Sequence, residues 1–339
     1  VVDLIPVVDI LAQKKGKYKE AHLILFEKCN MSCSFCHQDH DSRVGMSGEE
    51  ILLKVKRLTD STPGDLPYVV NFTGGELFSD DIPDGMFDHY LEAGKRVLDH
   101  FTEVKLVWGT NLAYENINRV MRLIALLREY APGRIIDLAT SYDPAGRFDK
   151  NNRQMFLRNL HLLQNYIDTV NVVITKQNIQ SFLEGKEGKE MQWMCENFTV
   201  YFDHYIPSTM YEYIQPDEDM ISDLYLLLNE KYPNSLPVRD WRENLFNETT
   251  CRSTKIVNKD NIVSTCWSEA GKNAILDEAE GLAAKAKAEM AFIEKYNCLA
   301  CEYYGRCGLR CFLHHSFIAD GLSSDCRIKE MFDRIVKQD

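Results

Sequence analysis

The segment Glu27-Lys28-Cys29-Asn30-Met31-Ser32-Cys33-Ser34-Phe35-Cys36 spaces three cysteines as C-x3-C-x2-C. A loop of this kind can wrap three thiolates around one corner of an iron–sulfur cubane. Such clusters are normally held by four thiolates, so three local ligands leave one iron open to bind something else. Zinc is the competing chemistry: it wants four closed ligands, and His37 or His40 could supply one. A second group stands far down the chain, as Cys251-x14-Cys266, Cys298-x2-Cys301-x5-Cys307-x3-Cys311 and Cys326. Paired zinc ribbons would prefer repeated C-x2-C pairs, and this group contains one.

These thiols need a frame. Short β-branched runs alternate with amphipathic stretches through the first two-thirds of the chain. Strands are expected at His22–Phe26, Tyr68–Thr73, Val104–Thr110, Ile135–Ser141, Val170–Thr175 and Phe198–Ile206. Helices are expected at Ser47–Leu58, Gly85–Phe101, Ile117–Tyr130, Gln154–Tyr166 and Ile179–Glu196, the first opened by a Ser47/Glu50 capping box. Alternation of this kind implies a parallel α/β sheet with helices on its outer face. Six units cannot close an eight-stranded barrel, so the expected fold is an open, partial (β/α)6 TIM barrel. It would occupy residues 21–215, after an N-terminal segment of residues 1–20. Residues 216–250 read as a helix and a turn-rich linker containing Pro233 and Pro237, and residues 251–339 as a cysteine-rich module. Within that module Ala274–Tyr296 reads as one charged helix and Ile328–Val336 as a short amphipathic one.

In parallel α/β barrels, functional groups gather at the C-terminal edge of the strands. Strand two ends in Asn71-Phe72-Thr73-Gly74-Gly75-Glu76, where glycines would let backbone approach a ligand and the carboxylate could hold an ammonium. Strand three ends in Thr110-Asn111, strand four in Ser141-Tyr142-Asp143 and strand five in Thr175-Lys176-Gln177-Asn178. Near the end of strand six, Asp203, His204 and Tyr205 could serve as an acid, a base or a radical partner, with Asp203 and Tyr205 the leading candidates. Cys195 lies in a helical stretch beside Trp193 and Met194 and reads as a small core residue.

The cysteine loop, with aromatic Phe35 just before its third cysteine, resembles that of radical S-adenosylmethionine (SAM, AdoMet) enzymes. Gly74-Gly75-Glu76 looks like the GGE motif of that superfamily, which contacts the SAM amino group. Asn111, Ser141 and Asp143 match positions that in similar enzymes touch the ribose or the methionyl carboxylate. The resemblance implies a [4Fe–4S] cluster on Cys29, Cys33 and Cys36, whose open iron binds SAM. Electron transfer from the reduced cluster would break a C–S bond and release a 5′-deoxyadenosyl radical. The second cysteine group resembles the SPASM extension of these enzymes, which holds two auxiliary [4Fe–4S] clusters, for three clusters in all. Carried over, Cys251, Cys266 and Cys311 would hold the first auxiliary cluster, and Cys298, Cys301, Cys307 and Cys326 the second. The first then has three evident thiolates, its fourth ligand being a nearby carboxylate, with Asp240, Glu243 and Glu248 as candidates, a solvent molecule or the substrate. Asn261 stands where the family pattern has a glycine, and asparagine tolerates the left-handed backbone better than most residues.

The leading expectation is a peptide-modifying enzyme that abstracts hydrogen from a ribosomal peptide to give a crosslink or an oxidised residue. Its electron donor would be a flavodoxin or ferredoxin. A dehydrogenase or epimerase of a small molecule such as an aminocyclitol or sugar is the alternative. The lack of a small winged-helix peptide-binding domain favours that alternative. A non-catalytic metal-binding scaffold is the third reading, and the strand-end motifs argue against it. The net charge of −12 argues against nucleic acid as a partner. No apolar run is long enough to span a bilayer, and the N-terminus lacks the form of a secretory signal, so no membrane partner and a cytoplasmic location are expected.

Overall fold

The computed structural model describes residues 19–36, 38–204, 214–243, 253–264, 287, 290–291, 293–294, 297–304 and 327–336. Eight strands form one sheet: β1 (Lys19–Ile24), β2 (Tyr68–Thr73), β3 (Val104–Gly109), β4 (Ile135–Ser141), β5 (Ile167–Ile174), β6 (Thr199–His204), β7 (Ser253–Val257) and β8 (Val263–Ser264). Their order is β6-β5-β4-β3-β2-β1-β7-β8. All neighbours are parallel except β7 and β8, which form an antiparallel hairpin. The fold is therefore an α/β partial barrel of six units, extended beyond β1 by two strands that the sequence pattern did not announce.

Helices α1 (Gly48–Asp60), α2 (Asp84–His100), α3 (Ile117–Tyr130), α4 (Lys150–Leu162), α5 (Lys176–Leu183) and α6 (Glu190–Asn197) connect successive strands of the parallel set. The expected capping box of α1 is present: the Ser47 side chain accepts the Glu50 N–H, and the Glu50 side chain accepts the Ser47 N–H. Helix α4 begins earlier than its apolar pattern suggests, because Asp149 accepts the Asn152 N–H at 2.8 Å and caps it. The single helix expected at Ile179–Glu196 is two helices. Gly185 and Gly188, at φ 68° and 93°, take the left-handed backbone that interrupts it.

Strand alternation separates two faces. Val70, Phe72, Leu106, Trp108, Ile136, Leu138, Val172, Val200 and Phe202 are buried in the main hydrophobic core. Phe72 stacks on Trp108 with centroids 4.2 Å apart. Val69, Asn71 and Thr73 alternate with the core residues of β2 and are only half-buried, on the concave face.

Residues 218–242 include α7 (Glu218–Lys231) and α8 (Val238–Arg242), and α9 (Arg327–Val336) is the last described element. Helix α7 packs against α5 and α9. Trp241 of α8 meets Tyr225 at 4.8 Å and Phe332 of α9 at 4.7 Å between centroids. No helix among the described residues is long and apolar enough to cross a membrane.

Candidate functional site

The cysteine loop leaves the C-terminal end of β1 and crosses the end of β2. The Leu25 N–H donates to the Thr73 carbonyl at 2.9 Å, the Gly75 N–H to Phe26 at 2.8 Å and the Glu76 N–H to Lys28 at 2.9 Å. This crossing explains both glycines. A Cβ at Gly75 would lie 1.8 Å from the Lys28 carbonyl oxygen, and one at Gly74 would lie 2.6 Å from that of Phe26. The close approach they permit is to the cysteine loop itself, whereas the sequence suggested a ligand.

Glu76 is fully buried. One carboxylate oxygen accepts from the Phe78 N–H at 3.0 Å and Thr110 Oγ1 at 2.9 Å; the other accepts from the Asn111 N–H at 2.5 Å. All three donors are neutral. Burial outweighs them and pushes the carboxyl up to about 7. Asn111 links this carboxylate to the cysteines: its Nδ2 lies 3.6 Å from Cys29 Sγ and donates to Asn30 Oδ1 at 2.8 Å.

Cys29, Cys33 and Cys36 are half-buried and in no disulfide. Burial pushes all three thiols up, Cys29 to about 11, while the Arg147 guanidinium pulls against it at Cys33 and Cys36. Phe35 is buried against Cys33, Val173 and Ile214. Asp143, at the end of β4, is also fully buried. It accepts from the Val173 N–H at 2.8 Å, Asn178 Nδ2 at 2.9 Å and Arg147 Nε at 2.5 Å. Burial raises its carboxyl despite the Arg147 partner. Ser141 is half-buried at the end of β4, in register with Asn171.

Two groupings thus meet at one sheet edge, Cys29–Asn111–Glu76 and Cys33–Phe35–Arg147–Asp143. Asn178 belongs to the strand-five end motif expected from sequence, whereas roles for Asn30 and Arg147 were missed. Arg147 carries no local signal because its partner is fixed by the loop after β4.

Among the described residues no group of three His, Cys, Asp or Glu side chains converges as ligands of a single metal ion. A cubane makes a different demand, one thiolate for each separate iron corner. Three cysteines outside disulfides, with an amide and a guanidinium beside them to offset thiolate charge, fit that demand. A buried carboxylate held by neutral donors alone likewise fits a ligand that brings a positive charge.

The second cysteine group is described only at Cys298 and Cys301, both half-buried. A 3-10 turn at Cys298–Ala300 closes with the Cys301 N–H donating to the Cys298 carbonyl at 2.9 Å. Tyr303 anchors the turn to α9 by donating to Asp333 Oδ1 at 2.6 Å and stacking on Phe332. Asn261 adopts φ 62° in the β7–β8 turn, the left-handed region in which glycine and asparagine are the usual residues. Asp203 is exposed on β6, in register with Val173. Asp240, on α8, lies 3.7 Å from Arg239, and Glu243 is exposed at the end of that helix. Cys195 packs against the core with its Sγ 3.9 Å from Met191 Sδ. His37, Tyr205, Glu248, Cys251, Cys266, Cys307, Cys311 and Cys326 lie outside the described residues, as does most of Ala274–Tyr296.

No family model matches the chain, and no curated protein does. Solved structures do. Native anSMEcpe with bound AdoMet and the Cp18Cys peptide is 16% identical, over 93% of this chain and 96% of that one, with a TM-score of 0.62. Native anSMEcpe with bound AdoMet is 15% identical over the same shares, with a TM-score of 0.63. The chain shares the fold of anSMEcpe over nearly its whole length.

Proposed function

We propose that the chain is a radical SAM enzyme of the SPASM type. Cys29, Cys33 and Cys36 would hold a [4Fe–4S] cluster with one iron left for SAM. When bound, the pair supplies a hydrogen-abstracting radical through one-electron reductive cleavage of the SAM C–S bond. The observation that carries the reading is the buried Glu76 carboxylate, lodged where the cysteine loop crosses β2 and held by three neutral donors. An arriving ammonium would supply the missing positive charge and keep the carboxylate ionised. Asn111 would orient both the carboxylate and the Cys29 side. Phe35 excludes water from the cysteine corner, and Ser141 and Asp143 border the rest of the ligand. Asp203 and Tyr205 stay candidates for substrate chemistry.

The substrate in this reading is a peptide, modified by crosslinking or oxidation, with a flavodoxin or ferredoxin as electron donor. The peptide bound to anSMEcpe, whose fold this chain shares, supports that choice. Cys251, Cys266 and Cys311 would hold one auxiliary cluster, and Cys298, Cys301, Cys307 and Cys326 the other. Cys195 packs in the core against Met191, which supports a fourth ligand other than cysteine for the first of them. Metal analysis tests the assignment. Anaerobically reconstituted protein is expected to hold about twelve iron atoms, with about four lost in Cys33→Ala. Stoichiometric zinc in place of iron overturns it.

A further inference from the structure

The loop after β4 grips the cysteine loop at two adjacent residues. The Gly146 carbonyl accepts the Ser34 N–H at 2.7 Å. A Cβ on Gly146 would lie 2.3 Å from Ser34 Oγ, and its φ of 81° is left-handed, so this approach requires glycine. Arg147 follows, its guanidinium 5.3 Å from the Phe35 ring centroid. Phe35 stands between Cys33 and Cys36 in the chain, so the cation is carried to the cysteine corner on the face of that ring. Asp143 Oδ2 accepts from its Nε at 2.5 Å and is its one acceptor among the described residues. The Arg147 side chain is 12% exposed and that of Asp143 is fully buried, so solvent screens this pair little. The pair is neutral overall but oriented, its cation lying against the Phe35 ring.

We propose that Arg147 is a positioning residue that raises the reduction potential of the cluster on Cys29, Cys33 and Cys36 by presenting a buried cation to it across Phe35. The inference rests on the radical SAM reading. Reduction adds one electron, taken from dithionite in the assay, and breaks no bond. The added negative charge is stabilised by a nearby cation, and net charge and hydrogen bonds at the sulfurs are among the levers that set such potentials.

The test is a potentiometric EPR titration of the reconstituted full chain, following the signal that AdoMet perturbs. Arg147→Gln is expected to disfavour reduction about tenfold, a shift of about 59 mV to more negative potential. Arg147→Lys keeps the charge and should retain most of the wild-type value. Asp143→Asn removes the counter-charge and should move the potential the opposite way, which keeps the test alive if Arg147→Gln takes up no iron. An unchanged midpoint in Arg147→Gln overturns the inference. So does a Lys variant that behaves like Gln, or an Asp143→Asn shift that is absent or negative. A change in AdoMet affinity with no change in potential assigns Arg147 to the ligand instead and also overturns it. A wild-type chain that takes up no iron defeats the cluster reading itself, an outcome distinct from all of these.

Discussion

Glu76 makes a prediction about the protein without its cofactors. Its carboxyl is raised by burial from 4.5 to about 7. Below pH 4.5 the group is protonated in folded and unfolded chains alike. Between 4.5 and 7 the folded state binds a proton that the unfolded state has released, so stability falls as pH rises through this window. Above 7 both forms are ionised and the full cost is present. At about 1.36 kcal/mol per pH unit, the raised value corresponds to about 3 kcal/mol. Glu76→Gln removes this titration. Its amide nitrogen cannot accept from the backbone N–H that one Glu76 oxygen serves, so the variant carries a cost that does not change with pH. Against that constant offset, its stability relative to wild type should rise by about 3 kcal/mol between pH 4.5 and pH 8. Urea unfolding of iron-free protein at both pH values measures the two differences. Equal differences at pH 4.5 and pH 8 would refute the reasoning.

In the radical SAM reading the same group would give AdoMet binding a pH dependence. Affinity for AdoMet should strengthen as pH rises through about 7 and level off above it, with Glu76→Gln losing the dependence; calorimetry on the reconstituted protein measures it. Gly75→Ala drives a Cβ to within 1.8 Å of the Lys28 carbonyl and should cost about 3 kcal/mol in urea unfolding, with iron content falling as the cysteine loop shifts. Gly85→Ala, with nothing within 4 Å of the added Cβ, should be neutral or stabilising by up to about 1 kcal/mol. Asn261→Val places a β-branched residue at φ 62° and should destabilise by about 1–2 kcal/mol, whereas Asn261→Gly should be tolerated.

The parallel frame was legible where period and punctuation agreed. Strands Tyr68–Thr73 and Ile135–Ser141 and helix Ile117–Tyr130 have the bounds that their patterns predict. The break between α5 and α6 falls where the apolar period lapses, since no apolar residue stands between Leu183 and Met191, and the positive φ of Gly185 and Gly188 ends the helix there. Strands β7 and β8 were hidden. They are short, their turn Asn258-Lys259-Asp260-Asn261 is polar, and β7 gains its place by pairing with β1 across more than two hundred residues of chain.

The candidate site divides in the same way. Cys29, Phe35, Glu76, Asn111 and Asp143 could be named because each sits in a local motif or at a strand end. Their physical relations could not be read. Gly74 and Gly75 accommodate the cysteine loop, a contact between segments forty-odd residues apart. Asp143 meets Arg147, Asn178 and the Val173 backbone through the register of β4 against β5 and the turn of its own loop. Buried polar groups of this kind are specified by partners, and partners distant in sequence leave no periodic trace.

The central claim is that this chain cleaves SAM by one-electron chemistry at Cys29, Cys33 and Cys36. The most direct measurement is anaerobic incubation of the reconstituted protein with dithionite and SAM, with 5′-deoxyadenosine quantified by chromatography and mass spectrometry. Wild-type protein should form it and Cys33→Ala should not. Absence of 5′-deoxyadenosine from iron-loaded wild type, or equal formation by Cys33→Ala, would contradict the account.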